Sequence, residues 1–328
     1  MKVLVTGANG FLGSWVTRAL VNEGHDVYAL VRRKSDISEL DGVSCQYLYG
    51  DVTDIRSLLE AFKGMDAVFH LAGVIAYKKS ERALMDKVNV QGTANVVAVC
   101  REHKVKRLVY LSSVVAVGAG YTEQDILDEQ SEYNIADLNL GYFETKHEAE
   151  KIVKTACDKG EIDAVILNPS TIYGAGDAKK GSRKMQLKVA QGKLKFYTSG
   201  GVNVVAVEDV VQGIISAWKN GRKGERYILS GENILIKDLF ALIAAESGVK
   251  PPSQLMPDGV LHIVGALGDF MELCGLKGPL SRENAYTATM YHWFDSSKAQ
   301  KELGFKPRPA KEAIHNSVQW VKDHGLLS

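Results

Sequence analysis

Thr6-Gly7-Ala8-Asn9-Gly10-Phe11-Leu12-Gly13 follows directly on the apolar run Lys2–Thr6, and its three glycines recur at every third position. In that place the stretch reads as a strand-to-helix turn. Gly7 lets the chain turn, Gly10 lets backbone N–H groups approach a pyrophosphate, and Gly13 lets helix and sheet pack closely. The helical segment that follows carries Phe11, Leu12, Val16, Ala19 and Leu20 on one stripe. Its N-terminus offers partial positive charge to an anion. A glycine-rich turn without a ligand is the plainer reading, but the strand before it and the amphipathic helix after it argue for a nucleotide. Gly7, Asn9, Gly10, Phe11, Leu12 and Gly13 are therefore assigned to a dinucleotide site.

Outward from this turn, strand-like and helix-like segments alternate. Asp26–Val31, 44–49, 66–71 and 107–112 read as buried strands, with 54–62 and 82–103 helical between them. This alternation predicts an α/β fold of the Rossmann type, a doubly wound parallel sheet with right-handed crossovers and helices on both faces. Segment 162–168 is expected as a sixth strand, 203–207 as a seventh and 208–218 as a returning helix. Residues 1–170, with 202–224 returning to them, are expected to form the dinucleotide-binding domain. The segments 171–201 and 225–328 are expected to form a smaller, mostly C-terminal substrate lobe.

Composition narrows the function classes. The 328 residues are 45% hydrophobic and 24% charged, with a formal net charge of +1. Such a chain is globular and has no field to steer it towards nucleic acid. Cys45, Cys100, Cys157 and Cys274 lie far apart, without a CxxC pair or metal-ligand spacing, so neither a disulfide framework nor a metal site is expected and the cytoplasm is the natural compartment. No signal peptide is read before Val3. The apolar stretch 260–276 is interrupted by His262, Asp269 and Glu272, so no integral membrane segment is expected. It is read as a lobe helix covering the substrate, with a core helix or a membrane-adjacent patch as the alternatives.

The second strand ends in Leu30-Val31-Arg32-Arg33-Lys34. An acid near this point suits the ribose 2′-hydroxyl of NAD, whereas an arginine pairs with the 2′-phosphate of NADP. The nearest acid is Asp36, beyond three basic residues, so NADP (as NADPH) is favoured over NAD, with Arg32 as first partner and Arg33 as second. A solvated basic loop is the alternative. Asp51, beside Val52 after the third strand, is placed to accept from the adenine amino group. His70-Leu71-Ala72-Gly73 closes the fourth strand, where small residues let the backbone approach the cofactor; His70 itself is read as a packed strand residue.

Tyr142-Phe143-Glu144-Thr145-Lys146 puts a tyrosine and a lysine on one helix face at i, i+4. Upstream, Ser112 and Ser113 end the fifth strand over the same sheet edge as the cofactor. A strand-end serine and a helical YxxxK after a GxxGxxG turn form a highly specific combination.

With these motifs in order, the chain resembles an extended short-chain dehydrogenase/reductase, of the NAD-dependent epimerase/dehydratase superfamily, over essentially its full length. TGANGFLG, GDVTD, HLAG, VNVQGT, YLSSVVAVG and YFETK carry the resemblance. Ala29-Leu30-Val31-Arg32, Asn168 to Asp177 (NPSTIYGAGD), Tyr227 to Asn233 (YILSGEN), Phe294 to Ala299 and Glu302 to Phe305 are similar to the dihydroflavonol-4-reductase-like branch, which includes hopanoid-associated sugar epimerase-like proteins. The resemblance implies that Tyr142 is the general acid/base and that Lys146 lowers its pKa and holds the nicotinamide ribose. It also implies that Ser113, with Ser112 as fallback, binds the carbonyl oxygen and that Pro169 lies beside the nicotinamide. Asn89 is expected to fix a helix backbone or an ordered water. A homodimer through the helices at 82–103 and 142–157 is implied as well.

Departures sharpen the expectation. Val114 and Val115 stand where the dehydratases carry an Asp-Glu pair, and Val202 stands where many nucleotide-sugar epimerases carry a phosphate-anchoring arginine. Lys179, Lys180, Arg183 and Lys184 offer another phosphate site or a solvated basic surface. The expected function is reduction of a small or hydrophobic ketone or aldehyde. A nucleotide-sugar epimerase with retained cofactor is the first alternative, and a cofactor-sensing binding protein the second.

Overall fold

The computed structural model describes residues 1–178, 183–276 and 278–327. In chain order the first half runs β1 (Lys2–Thr6), α1 (Phe11–Asn22), β2 (Asp26–Val31), β3 (Gln46–Tyr49), α2 (Ile55–Ala61), β4 (Ala67–His70), α3 (Arg82–Met85), α4 (Gly92–Glu102), β5 (Arg107–Leu111) and α5 (Gly141–Asp158). The middle runs β6 (Ala164–Pro169), β7 (Thr171–Tyr173), α6 (Lys184–Ala190), β8 (Phe196–Tyr197), β9 (Gly201–Ala206), α7 (Val207–Asn220) and β10 (Arg226–Leu229). The last part holds β11 (Glu232–Leu235), α8 (Ile236–Ser247), β12 (Gln254–Leu255), α9 (Asp258–Leu273), α10 (Arg282–Thr289), β13 (Tyr291–His292), α11 (Ser297–Leu303) and α12 (Ala310–Asp323).

The main sheet has seven parallel strands in the order β10-β6-β5-β4-β1-β2-β3. Its direction of winding reverses between β1 and β4, the crevice where open α/β sheets bind ligands. Continuous apolar strands such as Val3-Leu4-Val5 bury both faces. One face packs on α1, α7 and α11 through Val16, Leu20, Val210 and Ile214. The other packs on α2, α4 and α5 through Leu58, Val96, Ala149 and Val153. A second sheet, β11-β9-β13 with β7 against β9, lies in the C-terminal half beside α6, α8 and α12.

Two expectations are corrected here. The strand expected at 203–207 is β9, and it belongs to the second sheet. The seventh strand of the main sheet is Arg226–Leu229, which hydrogen-bonds in parallel register to β6, with Ile228 opposite Asn168. These four residues belong to the main sheet and not to the lobe expected over 225–328; a short apolar run carries no cue to which sheet it joins. The segment 82–103 is not one α-helix either, because a π-helical turn over 86–91 separates α3 from α4. Asn89 lies in that turn, and such turns recur at functional positions.

At the first turn Gly7 has φ +70°, and a Cβ on it would lie 2.7 Å from the Ala72 nitrogen. A Cβ on Gly13 would lie 2.0 Å from the Gly7 carbonyl oxygen. Gly13→Ala is therefore expected to lower stability in urea by about 2–3 kcal/mol, the cost of forcing a crowded backbone contact apart. Gly24→Ala, at φ +80° in open space, should lose only about 1 kcal/mol. Equal losses for the two variants would show that the turn tolerates a side chain.

Candidate active site

The three turn glycines bring β1, the N-terminus of α1 and the end of β4 together. The Gly10 N–H donates to the Gly7 carbonyl at 2.9 Å. No side chain caps α1 at Gly10, which leaves its first N–H groups, those of Phe11 and Leu12 among them, for an anion. Thr6 ties the neighbouring strand end: its hydroxyl meets His70 Nδ1 at 2.8 Å and accepts the Ala72 N–H at 3.2 Å. His70 is fully buried, reaches Thr93 through Nε2, and is pushed down to about 3 by burial and then by Lys146. It stays neutral, a packed strand residue as expected. The segment Leu71–Ala72–Gly73 thus runs beside the glycine turn, and its backbone leaves no room for a side chain at Gly7.

At the end of β2, Arg32 and Arg33 are both exposed, and Arg33 lies over the Tyr49 ring at 5.1 Å. Asn9 donates to the Asp36 carbonyl at 2.8 Å, which joins the glycine turn to the basic loop. Asp51 Oδ1 accepts from the backbone and hydroxyl of Thr53, both at 2.9 Å. That fixes the carboxylate next to Val52, whose carbonyl is held by Asn95 Nδ2 at 2.8 Å. The side-chain-free glycine turn, the uncapped helix end and the neighbouring arginines fit a dinucleotide.

Across the sheet edge, α5 presents Tyr142 and Lys146 on one face, 8% and 7% exposed. Lys146 Nζ donates to the Leu111 carbonyl at 2.8 Å and lies over the Tyr110 ring. Burial pushes this ammonium down to about 8, against the opposing pull of Glu150. Burial also raises the Tyr142 phenol well above its ordinary value, with Tyr77 adding to the rise and a hydrogen bond to the Ser113 hydroxyl offsetting part of it. Ser113 and Tyr142 are thus neighbours, with Lys146 one turn further along the same face of α5. Ser112 does not join them, because its hydroxyl donates to the Glu150 carboxylate in the interior. Asn168, next to Pro169 at the end of β6, donates to the Ser113 carbonyl at 2.9 Å.

Asn89 is 3% exposed and pins a loop rather than a helix. Its Oδ1 accepts the Val74 N–H at 2.8 Å, and its Nδ2 donates to the Val74 carbonyl at 3.0 Å and to the Thr145 hydroxyl at 3.2 Å. The loop after β4 is thereby tied to α5.

Two residues that sequence reading missed join the site, Glu283 from the C-terminal half and Tyr77 from the loop after β4. Glu283, on α10, accepts the N–H groups of Gly141 at 3.2 Å and Tyr142 at 3.0 Å, closing the N-terminus of α5 from 141 positions away. Burial raises its carboxyl to about 7 despite those two donors. No local pattern marks it. Tyr77 faces Tyr142 edge-on at 6.1 Å, and its phenol is pushed up to about 12 by burial, then by Glu283. A cavity of about 300 Å³ lies between Tyr77, Gly141, Asp269, Arg282 and Glu283.

Arg183 is turned inward: it pairs with Asp177 at 3.3 Å, donates to the Ile172 carbonyl and covers the Tyr173 ring at 4.0 Å. Lys184 is exposed, and Lys179 and Lys180 lie outside the described residues. The stretch 260–276 forms most of α9, but its large side chains face outward, with Ile263 and Phe270 each 63% exposed. Gly265, Gly268 and Asp269 are the buried face. Among the described residues no group of three or more His, Cys, Asp or Glu is placed to hold a metal ion, and no helix is long and apolar enough to cross a membrane.

The profile of the NAD dependent epimerase/dehydratase family matches residues 3–230. A putative dihydroflavonol 4-reductase of Synechocystis is 30% identical, the alignment covering 98% of this chain and 95% of the relative. Sterol demethylase protein B of Methylococcus capsulatus is also 30% identical, over all of both chains. The crystal structure of gox2253 superposes with a TM-score of 0.88 at 34% identity, over 99% of each chain.

Removing the buried Asn89 side chain leaves the half-buried Val74 N–H and C=O without their amide partner. Asn89→Ala should therefore cost about 2–3 kcal/mol of stability in urea. An unchanged midpoint would mean that water replaces the amide at no cost.

Proposed function

The chain belongs to the NAD dependent epimerase/dehydratase family, and from that premise we propose that it is an NADP-dependent reductase of a hydrophobic ketone or aldehyde. It is an NAD(P)-dependent oxidoreductase of the extended short-chain dehydrogenase/reductase type. One observation carries the finer reading: Tyr142 sits in an apolar and aromatic cluster that includes Ala76, Val115, Phe143 and Met290. An apolar wall grips a carbonyl compound by burial, with a few polar groups fixing its orientation. Val202, in place of an anchoring arginine, packs on the second core. The reductase in the name of the Synechocystis relative agrees with this reading.

NADPH, when bound, supplies the hydride. The glycine turn and the α1 N-terminus hold its pyrophosphate, and Arg32 its 2′-phosphate, with Arg33 in second place. Asp51 accepts from the adenine amino group. Leu71–Gly73 and Pro169 line its path to the nicotinamide. Ser113 donates a hydrogen bond to the substrate oxygen and keeps it within reach of Tyr142. The Tyr142 phenol, held protonated by burial, is in the form that donates, and its proton goes to the oxygen as negative charge develops there. The Lys146 ammonium on the same helix face stabilises the resulting phenolate and binds the nicotinamide ribose. Val114 and Val115 leave no acid/base pair beside Ser113 for removing water. The exposed side chains of α4 and α5 are our candidate homodimer surface, and the cytoplasm is our candidate compartment.

Tyr142→Phe should keep fold and cofactor binding while turnover drops about 10²-fold or more; near-normal turnover would overturn the assignment. NADPH should bind at least about tenfold tighter than NADH, roughly 1.4 kcal/mol, with most of the difference lost in Arg32→Ala. Equal dissociation constants would refute the cofactor preference. The deciding experiment offers aliphatic and aromatic carbonyl compounds and UDP-sugars in parallel, following nicotinamide absorbance and sugar stereochemistry. NADPH consumed in step with alcohol formed supports the reductase. Epimers interconverting at constant NADPH would put the epimerase in its place.

A further inference from the structure

Tyr142, Lys146 and Glu150 follow one another at four-residue steps along α5, so the three share one helix face. Glu150 is only 3% exposed. Its Oε2 accepts from the Ser112 hydroxyl and, at 2.7 Å, from Asn168 Nδ2. Its Oε1 has Arg226 Nε at 3.0 Å as an ion pair, without hydrogen-bond alignment. The same Asn168 nitrogen holds the Ser113 carbonyl at 2.9 Å. One carboxylate therefore reaches both halves of the reactive set, Lys146 through space along the helix and Ser113 through an amide. Burying an ion pair costs several kcal/mol, and apolar side chains of similar volume are often at least as stabilising. Packing alone therefore gives little reason for an anion at this place.

The other groups facing Lys146 do not replace that charge. From β5 come the Tyr110 ring at 5.3 Å and the Leu111 carbonyl. From β4 comes His70, which is neutral. On α5 itself Tyr142 is a phenol, and Arg226 on β10 stands behind Glu150 and has the wrong sign. On the outer side of α5, Glu144 and Glu148 face Arg82. We propose that Glu150 is a positioning residue: its carboxylate keeps Lys146 in the ammonium form and, through Asn168 and Ser112, fixes the backbone that carries Ser113. This rests on reading Ser113, Tyr142 and Lys146 as the reactive set.

The test follows NADPH affinity from pH 6 to 10 by cofactor fluorescence, on the full chain and without any carbonyl substrate. The parent protein should lose affinity on an alkaline limb as Lys146 gives up its proton, and Lys146→Met should erase that limb. Glu150→Gln, and the double variant Glu150→Gln with Arg226→Gln that leaves no lone buried cation, should shift the limb down by about one pH unit, a tenfold change in proton affinity. Arg226→Gln alone should leave the limb in place or move it upward. Where a carbonyl substrate is reduced, the double variant should lose about tenfold in kcat with KM within about twofold, the pattern of misplaced reacting groups rather than lost binding. An unmoved limb in the double variant overturns the proposal, as does a limb that survives Lys146→Met. Failure of both Glu150 variants to fold overturns it too, by making the residue a folding element. The limb is read without turnover, so a protein that reduces no carbonyl but shows the shift would sink the reductase reading and keep the role of Glu150.

Discussion

The carbonyl of Gly7 is the point on which the nucleotide half closes. It accepts the Gly10 N–H, and α1 passes so near that no side chain fits at Gly13. On its other side the end of β4 leaves no room for a side chain at Gly7 itself. Three backbone segments meet there without a side chain between them, so α1 has one available placement against the sheet. That placement aims its N-terminus across the switch between β1 and β4 and makes an anion site from backbone alone.

The reactive half is organised by buried charge. Lys146 leans on the Leu111 carbonyl, Glu150 is tied to β6 and β10, and Glu283 closes the start of α5 from α10. The helix bearing Tyr142 is thus fixed at its base by the sheet and at its tip by the C-terminal half. A shift of α10 would reach Tyr142 through its own backbone N–H. The apolar cluster around the phenol is likewise shared, since Val115 comes from the sheet edge and Met290 from beyond α10.

Local patterns were enough for much of this. β1 and β2 begin and end where the sequence reading put them, because apolar β-rich runs bounded by glycine or charge leave few choices. The i, i+4 spacing of Tyr142 and Lys146 and the strand-end place of Ser113 were legible because they are short-range facts. Pairing between distant segments was not legible. Arg226–Leu229 and Gly201–Ala206 are both short apolar runs, and only the partner strand decides which sheet takes which. The preference for Ser113 over Ser112 came from the resemblance; the physical difference, the Glu150 carboxylate that takes the Ser112 hydroxyl, lies 38 positions away in the chain. Asn89 looked like a helix residue because its partner, the Val74 backbone, comes from a loop. The outward apolar face of α9 was invisible for a related reason: periodicity shows that a helix has an apolar side, and the glycines at 265 and 268 decide that the opposite side packs.

Glu283 and Lys146 also link the fold to protons. Glu283 has its carboxyl raised from 4.5 to about 7, so the folded chain holds a proton there that the unfolded chain has released. Its contribution to stability is complete below about 4.5 and is lost as the pH climbs through 7. Lys146 is lowered from 10.5 to about 8, so its contribution is complete above about 10.5 and is lost as the pH falls through 8. Between 7 and 8 both groups are mostly charged and both contributions are largely absent. For the chain without ligand, neutral pH is where these two groups favour the folded state least, and an anion that met the Lys146 ammonium would return part of that stability on binding.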